Sequence, residues 1–506
     1  MKPNHNLIIK WVMLSLLALV ATLAMSQGNE KVPPIFHSKI GNKTQSSDSE
    51  IKLLVSGRKV NYPGCDKLSQ DTDIWSPKSV HFHPNGKKYY INSLEGCITI
   101  AYDATSNKKL KVIKHFFNAK NAHLFASPSG LFPFTHYKKN LNTFVGRPVE
   151  STFSHGGRYL WIPYYRRSYD LNAQDPSAIA IIDTQVDSII KVMETGPLPK
   201  MVATSHKGNY LAVTHWGNNT VGIIDISSDN PAQWHYVKCI VVDKQLPMHF
   251  SMTQRVDRDI HSGYMLRGTV FTPDDRYLLV GCMGGGGGIA AIDMTNMQYL
   301  GRLTGIYNAR HLLIKNEYLY ASLNVAGIVQ RLPLEKVIAA IKRIKGKTAP
   351  MSGWETCHVG KGARTISISP SGNYVFAACN SASKLCVVDT RTMKMVASLG
   401  IDSYPVGLDI SSDGRHLVVT SQGRKGHGGN AVNLIDVDYK TPEPVVMPAG
   451  MPPQNTAATG KVKAAVENAV KIPWSQLLTM LIGITLVMGI IAMLVAINRH
   501  KLKKNE

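Results

Sequence analysis

Between residues 362 and 436 apolar and polar positions alternate in short runs, and the same order of runs occurs twice in tandem: GARTISISPSGNYVFAACNSASKLCVVDT, then YPVGLDISSDGRHLVVTSQGRKGHGGNAVNLIDVD. Each copy holds an alternating run, a turn bearing Ser and Gly, a β-branched and aromatic run, a second turn, and a last run ending in Val/Ile-Asp. Period-two alternation bounded by turn residues predicts strands joined as hairpins. One such sheet cannot bury both of its faces, so copies must stack on one another. The same grammar recurs in PKSVHFHPNGKKYYINS from Pro77, RPVESTFSHGGRYLWIP from Arg147, PKMVATSHKGNYLAVTHWGNNTVGIID from Pro199 and RGTVFTPDDRYLLVGCMGGGGGIAAID from Arg267. A worn copy, ARHLLIKNEYLYASLNVAGIVQRL from Ala309, brings the number to seven. Seven four-stranded blades around one axis leave no long exposed edge, so the prediction is an all-β seven-bladed propeller over residues 51–438.

Residues 213–225, VTHWGNNTVGIID, resemble the YVTN-repeat propellers, the YncE-like proteins of bacterial envelopes and archaeal surface layers. The resemblance covers residues 50–440 and implies the propeller fold. For activity it implies less, since such relatives include binding proteins, lactonase-type enzymes and haem-carrying propellers.

In a propeller the first strand of each blade lines the channel, and the loops joining strands two to three, and four to the next blade, share one face, here called the top. To the top are assigned the insertions 116–146 and 244–266, the stretch PYYRRSYDLNAQDPSA from Pro163, the five glycines 284–288, and residues 421–430. The run 51–60 precedes the first copy and is expected to supply the outer strand of the last blade, latching the ring; residues 444–448 compete for that place. On the bottom, residues 333–346 place Leu334, Val337, Ile338, Ile341 and Ile344 on one helical face, to be packed on the worn blade or laid against a membrane.

The two ends add a compartment. Residues 1–26 contain an apolar run after Lys2 and small residues at Ala24 and Ser26, the pattern of a cleaved signal peptide or a short anchor, with 27–50 as linker. Residues 477–497 hold no charge, follow Trp474, and precede Arg499, His500, Lys501, Lys503 and Lys504. That pattern predicts one C-terminal transmembrane helix over 473–498, a Pro/Gly/Ala-rich linker over 439–472, and a basic cytoplasmic tail over 499–506. The propeller is thus expected at the cell membrane, on the extracytoplasmic side. Of seven scattered cysteines only Cys379 and Cys386 fall nearly opposite across a hairpin turn, as a possible disulfide in a hydrogen-bonded pair position.

Charge changes the picture most. Lys and Arg number 57 against 34 Asp and Glu, a formal +23, which favours anionic partners: a polysaccharide, a phosphate-bearing polymer or a lipid headgroup, with nucleic acid possible but not favoured. Stacking the copies on their turn glycines puts Lys78, Val149, Lys200, Arg267, Arg310, Arg364 and Val406 at the opening of the first strands. Five of these seven positions are basic and would ring the top mouth of the channel as an anion-binding site, or each would cover a blade edge and pair with a neighbour. Only Glu150 is an acid beside them. Tyr164, Tyr165, Arg166 and Arg167 would offer stacking and anion pairing from a top loop, or form a solvated one.

His81 and His83 alternate along an inner strand, but two ligands are not a metal site, and packed or solvated histidines are the alternative. The stretch WETCHVG, 354–360, lacks the first cysteine of a haem-attachment motif, and the five glycines lack the Lys-Ser/Thr of a phosphate loop. No linear catalytic motif is present, and no cofactor is predicted. The reading is a membrane-anchored binding or scaffold propeller for an anionic ligand or partner protein. The alternatives are a lactonase-like or haem-dependent propeller enzyme and a structural surface or complex subunit.

Overall fold

The computed structural model describes residues 35–444 apart from 135–140, 249–255 and 425. The expected signal segment, the tail beyond 444 and its apolar run therefore lie outside the described residues. Among the described residues no helix is long and apolar enough to cross a membrane.

Seven sheets, each built on antiparallel hairpins, follow one another along the chain. Six open on the inner strands Pro77–Phe82, Pro199–Thr204, Leu266–Phe271, Ala309–Lys315, Ala363–Ile368 and Pro405–Ile410. In blade two the inner edge is split into Phe144–Pro148 and Thr152–Ser154, both paired to the long strand Tyr159–Arg167. Neighbouring inner strands touch in order, and Pro405–Ile410 meets Pro77–Phe82, which closes the ring. The fourth strand of blade seven is Ile51–Val60, antiparallel to Ala431–Tyr439 from Ile51 opposite Tyr439 to Val60 opposite Ala431, and Lys43–Gln45, within the expected linker, pairs on its outer side as a fifth strand.

Both faces of each blade are apolar because each packs on a neighbour, so the core is a series of layers between blades. Ile51, Leu53 and Val55 of the latch lie with Phe376, Leu385 and Leu399 of blade six and Leu417 and Ile435 of blade seven. Trp161 and Tyr159 of blade two meet Trp234 and Tyr236 of blade three.

The inner strands share one irregularity. In six of them the register slips beside the opening residue, between Pro77 and Val80, Pro199 and Met201, Leu266 and Thr269, Ala309 and His311, Ala363 and Ile366, and Pro405 and Gly407. Such a bulge frees a backbone N–H from the ladder and re-aims the side chains around it. A hydroxyl on the second strand takes up the freed donor: Thr214 Oγ1 accepts from Met201 N at 3.1 Å, Ser322 Oγ from His311 N at 3.2 Å, and Thr420 Oγ1 from Gly407 N at 3.1 Å.

Several insertions fold back as extra structure. Phe116–Phe117 pairs with Phe144–Pro148 and extends blade two to six strands, while Thr348–Pro350 runs parallel to Gln298–Thr304 on the outside of blade four. The helix Leu334–Lys342 buries Leu334, Val337, Ala340 and Ile341 among Leu303, Leu332 and Met351, so its apolar face is covered by blades four and five. Two expectations need correction. Tyr164 to Arg167 are not a loop: the inserted strand Phe144–Pro148 gives Tyr159–Arg167 a partner, so the hairpin continues through them. Cys379 lies opposite Lys384 and Cys386 opposite Ala377, because the turn spans four residues with Ser383 left-handed (φ 51°). The two cysteines are diagonal neighbours, present as thiols with Sγ atoms 3.7 Å apart.

Candidate functional site

The bulges present Lys78, Lys200, Arg267, Arg310 and Arg364 to one another at the top of the channel. Lys78 feels the charges of Arg364, Arg267 and Arg310, and Lys200 those of Arg267 and Arg310. Val149 and Val406 occupy the other two ring positions and are buried. The mouth is narrow: Arg267 of blade four reaches Glu150 of blade two, Nη2 to Oε1 at 2.8 Å, with blade three between them. Two glycines help to make it so. A Cβ on Gly268 would stand 2.8 Å from Leu312 N, and one on Gly407 would collide with the Lys78 carbonyl, so only glycine lets these inner strands approach so closely.

The five cations are not equally satisfied. Lys200 Nζ donates to Asp259 Oδ1 at 3.1 Å and sits over the rings of Tyr165 and Trp216, at 4.0 and 4.8 Å from their centroids. The top insertion that carries Asp259 is itself held there: Tyr165 OH donates to the same carboxylate, Arg166 pairs with Asp257 at 3.1 Å, and Trp216 Nε1 donates to Asp259 O at 3.2 Å. Among the described residues Lys78 Nζ finds only the neutral Gln422 Oε1, at 2.8 Å. Among the same residues Arg310 Nη1 finds only the Met283 thioether, at 3.4 Å. The Arg364 Nε is sealed from solvent without a hydrogen-bond partner.

Burial and mutual repulsion act together on these groups. Desolvation, then the neighbouring guanidinium groups, push the Lys78 ammonium well below its usual range. Arg310 is lowered well below its ordinary value for the same reasons, and Arg364 is brought down to about 9. Lys200 is pushed down to about 7, burial outweighing the help of Asp259.

Below the ring the channel carries His311, lowered to about 4 by burial, with Glu150, Arg267 and His81 nearby. His81 Nδ1 lies 2.7 Å from Ser151 Oγ. Asp409, its carboxyl raised by burial, accepts from Phe82 N and Ile410 N, both at 2.9 Å. These groups are tied into neighbouring inner strands rather than gathered on one point, and among the described residues no cluster of three metal-ligating side chains exists. His83 also meets blade two, packing edge-on to Phe153 with Nε2 3.2 Å from Thr184 Oγ1.

Tyr164 and Arg167 are withdrawn from any ligand: Tyr164 is fully buried and its hydroxyl lies 2.9 Å from His115 Nδ1, while Arg167 is spent on Ser177 O and Leu141 O. Tyr165 and Arg166 alone reach the mouth, through Asp259 and Asp257. Cys357 of WETCHVG is buried in the outer strand Glu355–His358 of blade five. Arg302 ties down the glycine run, donating from Nη1 to Gly285 O at 2.9 Å and also to Gly287 O. Sequence reasoning passed over Asp259, Trp216, Gln422 and Met283, which lie in loops or strands of other blades and carry no local pattern pointing to the ring.

No family model matches the chain, and no curated protein matches it. Solved structures do. The chain is similar to hydrazine synthase of Kuenenia stuttgartiensis, at 13% identity over 74% of this chain and 99% of that one, with a TM-score of 0.49. It is also similar to the Cps50 (Swd1) β-propeller domain of Myceliophteria thermophila, at 13% identity over 72% of this chain and 97% of that one, with a TM-score of 0.50. At 13% identity the second likeness speaks for architecture alone, and with seven sheets in a closed ring it makes this chain a seven-bladed β-propeller.

Proposed function

We propose that this protein is a membrane-anchored, extracytoplasmic binding propeller of YVTN type whose channel mouth takes an anionic ligand or the anionic part of a partner. The observation that carries the reading is the convergence of Lys78, Lys200, Arg267, Arg310 and Arg364, from five blades, with only Glu150 and Asp259 paired to them among the described residues. Buried like charges held this way are costly unless something negative joins them. A binding role suits a fold that brings distant residues to one opening, and the ring offers cations where an enzyme of the lactonase or haem type needs converging acids or histidines.

The test is charge reversal at the two ring positions that still touch solvent, Lys78→Glu with Arg364→Glu, in the full-length protein in detergent. Wild type should be retained on immobilised heparin at low salt and released steeply as salt rises, and the double variant should lose at least a hundredfold in affinity. Lys336→Glu with Arg343→Glu, on the exposed side of the bottom helix, matches the change in net charge. Equal losses in both double variants would make the effect one of overall charge and end the ring reading.

Anchoring rests on the apolar run 477–497 and the basic residues after it. The chain leaves the propeller along Ala431–Tyr439, the third strand of its blade, on the face opposite the mouth. With the partly exposed Cys65 and Cys239 changed to serine, a cysteine at Asn455 should react with an impermeant maleimide on intact cells and one at Asn505 only after lysis. The reverse pattern would place the propeller in the cytoplasm.

A further inference from the structure

Of the five cations at the mouth, two are already neutralised from within. Glu150 takes Arg267 and Asp259 takes Lys200. Lys78, Arg310 and Arg364 keep no carboxylate partner among the described residues: one bonds a neutral amide, one a thioether, and one has a guanidinium nitrogen buried without an acceptor. Arg310 is nine-tenths buried. These three stand in blades one, five and six, so they face one sector of the opening, with Val406 of blade seven between Arg364 and Lys78 in ring order. The opposite sector is roofed by Asp259, Tyr165 and Trp216 over Lys200.

Taking the mouth to be an anion site, as proposed above, we infer that its ligand is a compact, multiply charged oxyanion group of phosphate size, held by Lys78, Arg310 and Arg364. Size follows from the closeness of the three cations, since Lys78 feels the charges of Arg310 and Arg364, and Arg310 that of Arg364, so one compact group can meet all three. Charge follows from three unpaired cations, which a monoanion leaves under-compensated. Oxyanion chemistry follows from two guanidinium forks, whose paired N–H donors match adjacent oxygens of a phosphate, with an ammonium as the third, point-like donor. The sulfur now touching Arg310 and the amide now touching Lys78 are weak or neutral acceptors that such a group would displace or supplement. Glu150 sits beside the site as a competitor for the same cations.

The group could arrive free or as a phosphomonoester on a lipid, and two probes separate these sources: inorganic phosphate by equilibrium dialysis, and vesicles containing phosphatidic acid by co-flotation, both with the full-length protein in low salt. Saturable binding of one phosphate per chain is expected, at least tenfold tighter than nitrate. Lys78→Gln, Arg310→Gln and Arg364→Gln should each weaken it tenfold or more, Lys200→Gln by less than threefold, and Glu150→Gln should tighten it by releasing Arg267. Vesicle binding that follows the same variants would make the source a lipid; phosphate binding without it, a free anion. A Lys200→Gln loss as large as that of Arg364→Gln overturns the three-residue assignment while leaving the mouth an anion site. If phosphate is not bound but heparin retention still depends on Lys78 and Arg364, the compact ligand is wrong and the mouth reading stands; if neither anion binds, both fall. Should Arg310→Gln fail to fold, Lys78→Gln decides alone, since that side chain is partly exposed and ends on a surface amide.

Discussion

Replacing Leu53 and Val55 with aspartate is expected to abolish the single cooperative unfolding transition of the propeller, and deleting Ile51–Val60 to do so more severely. Ile51, Leu53, Val55 and Val60 are all essentially buried, the first three on the apolar layer between blades six and seven. Fully burying an aliphatic side chain contributes about 1.5–3 kcal/mol, so these four together approach the ~5–15 kcal/mol by which a whole domain is stable. The latch also carries Arg58, whose guanidinium bonds Asp402 at 2.7 and 3.1 Å, and Asp402 in turn holds Asn433 Nδ2 at 2.9 Å. Without Arg58 that buried carboxylate loses its guanidinium partner and is left with Asn433 and the His37 ring, whose Nδ1 lies 3.4 Å away, a change costing about 3–5 kcal/mol. The deletion further strips Ala431–Tyr439 of its outer partner and exposes a full row of donors and acceptors, which invites pairing between molecules. Urea unfolding followed by tryptophan fluorescence, with size-exclusion chromatography for association, reads both effects. Deleting residues 454–460 is the matched control and should change neither. Two equally silent deletions would mean that the ring is closed by some other contact.

The latch was open to sequence reasoning because a strand-like run without a blade of its own, at the other end of the chain from a blade lacking its outer strand, has one place to go. The blades were legible for a related reason: seven repeats of one pattern make alternation, turn residues and length agree. What could not be read is what the insertions do. The repeat carries the strand only as far as Pro163 and gives no sign that Phe144–Pro148 prolongs its pairing, so by pattern Tyr164 and Arg167 fall on a loop although both are buried. The repeat also located the ring, since equivalence by repeat is equivalence by position in a closed propeller. It could not show which cations are spent, because the Glu150–Arg267 pair spans 117 residues and Asp259 lies in an insertion that most blades lack. A repeat records what the blades have in common; here the chemistry of the mouth is set by what only some of them have.

His115 and His215 are two more such departures, and they predict a marked loss of stability in mild acid. His115 bridges Thr99 Oγ1 at 2.8 Å and Tyr164 OH at 2.9 Å, and His215 bridges Thr195 and Thr220 hydroxyls, both at 2.8 Å. Both rings are fully buried, and Gly196 and Gly222 leave the space that the His215 ring fills. Burial pushes each down to about 3, so each is neutral in the folded protein, while the unfolded chain protonates near the ordinary 6.5. Because the folded value is the lower one, the unfolded state binds the extra protons. Stability is therefore intact above about pH 6.5 and is lost as pH falls from there towards 3, by about 2 kcal/mol per histidine at pH 5. His311, lowered to about 4, acts in the same direction, and Asp170, raised to about 6 by burial, acts in the opposite one. The double variant His115→Gln with His215→Gln separates these two rings from the rest: less stable than wild type at pH 7, it should lose about 4 kcal/mol less than wild type between pH 7 and pH 5. Urea titrations at pH 7, 6 and 5 give the slope, and a wild-type midpoint that moves no more than the variant's over that range would show that these histidines carry their protons in the folded state.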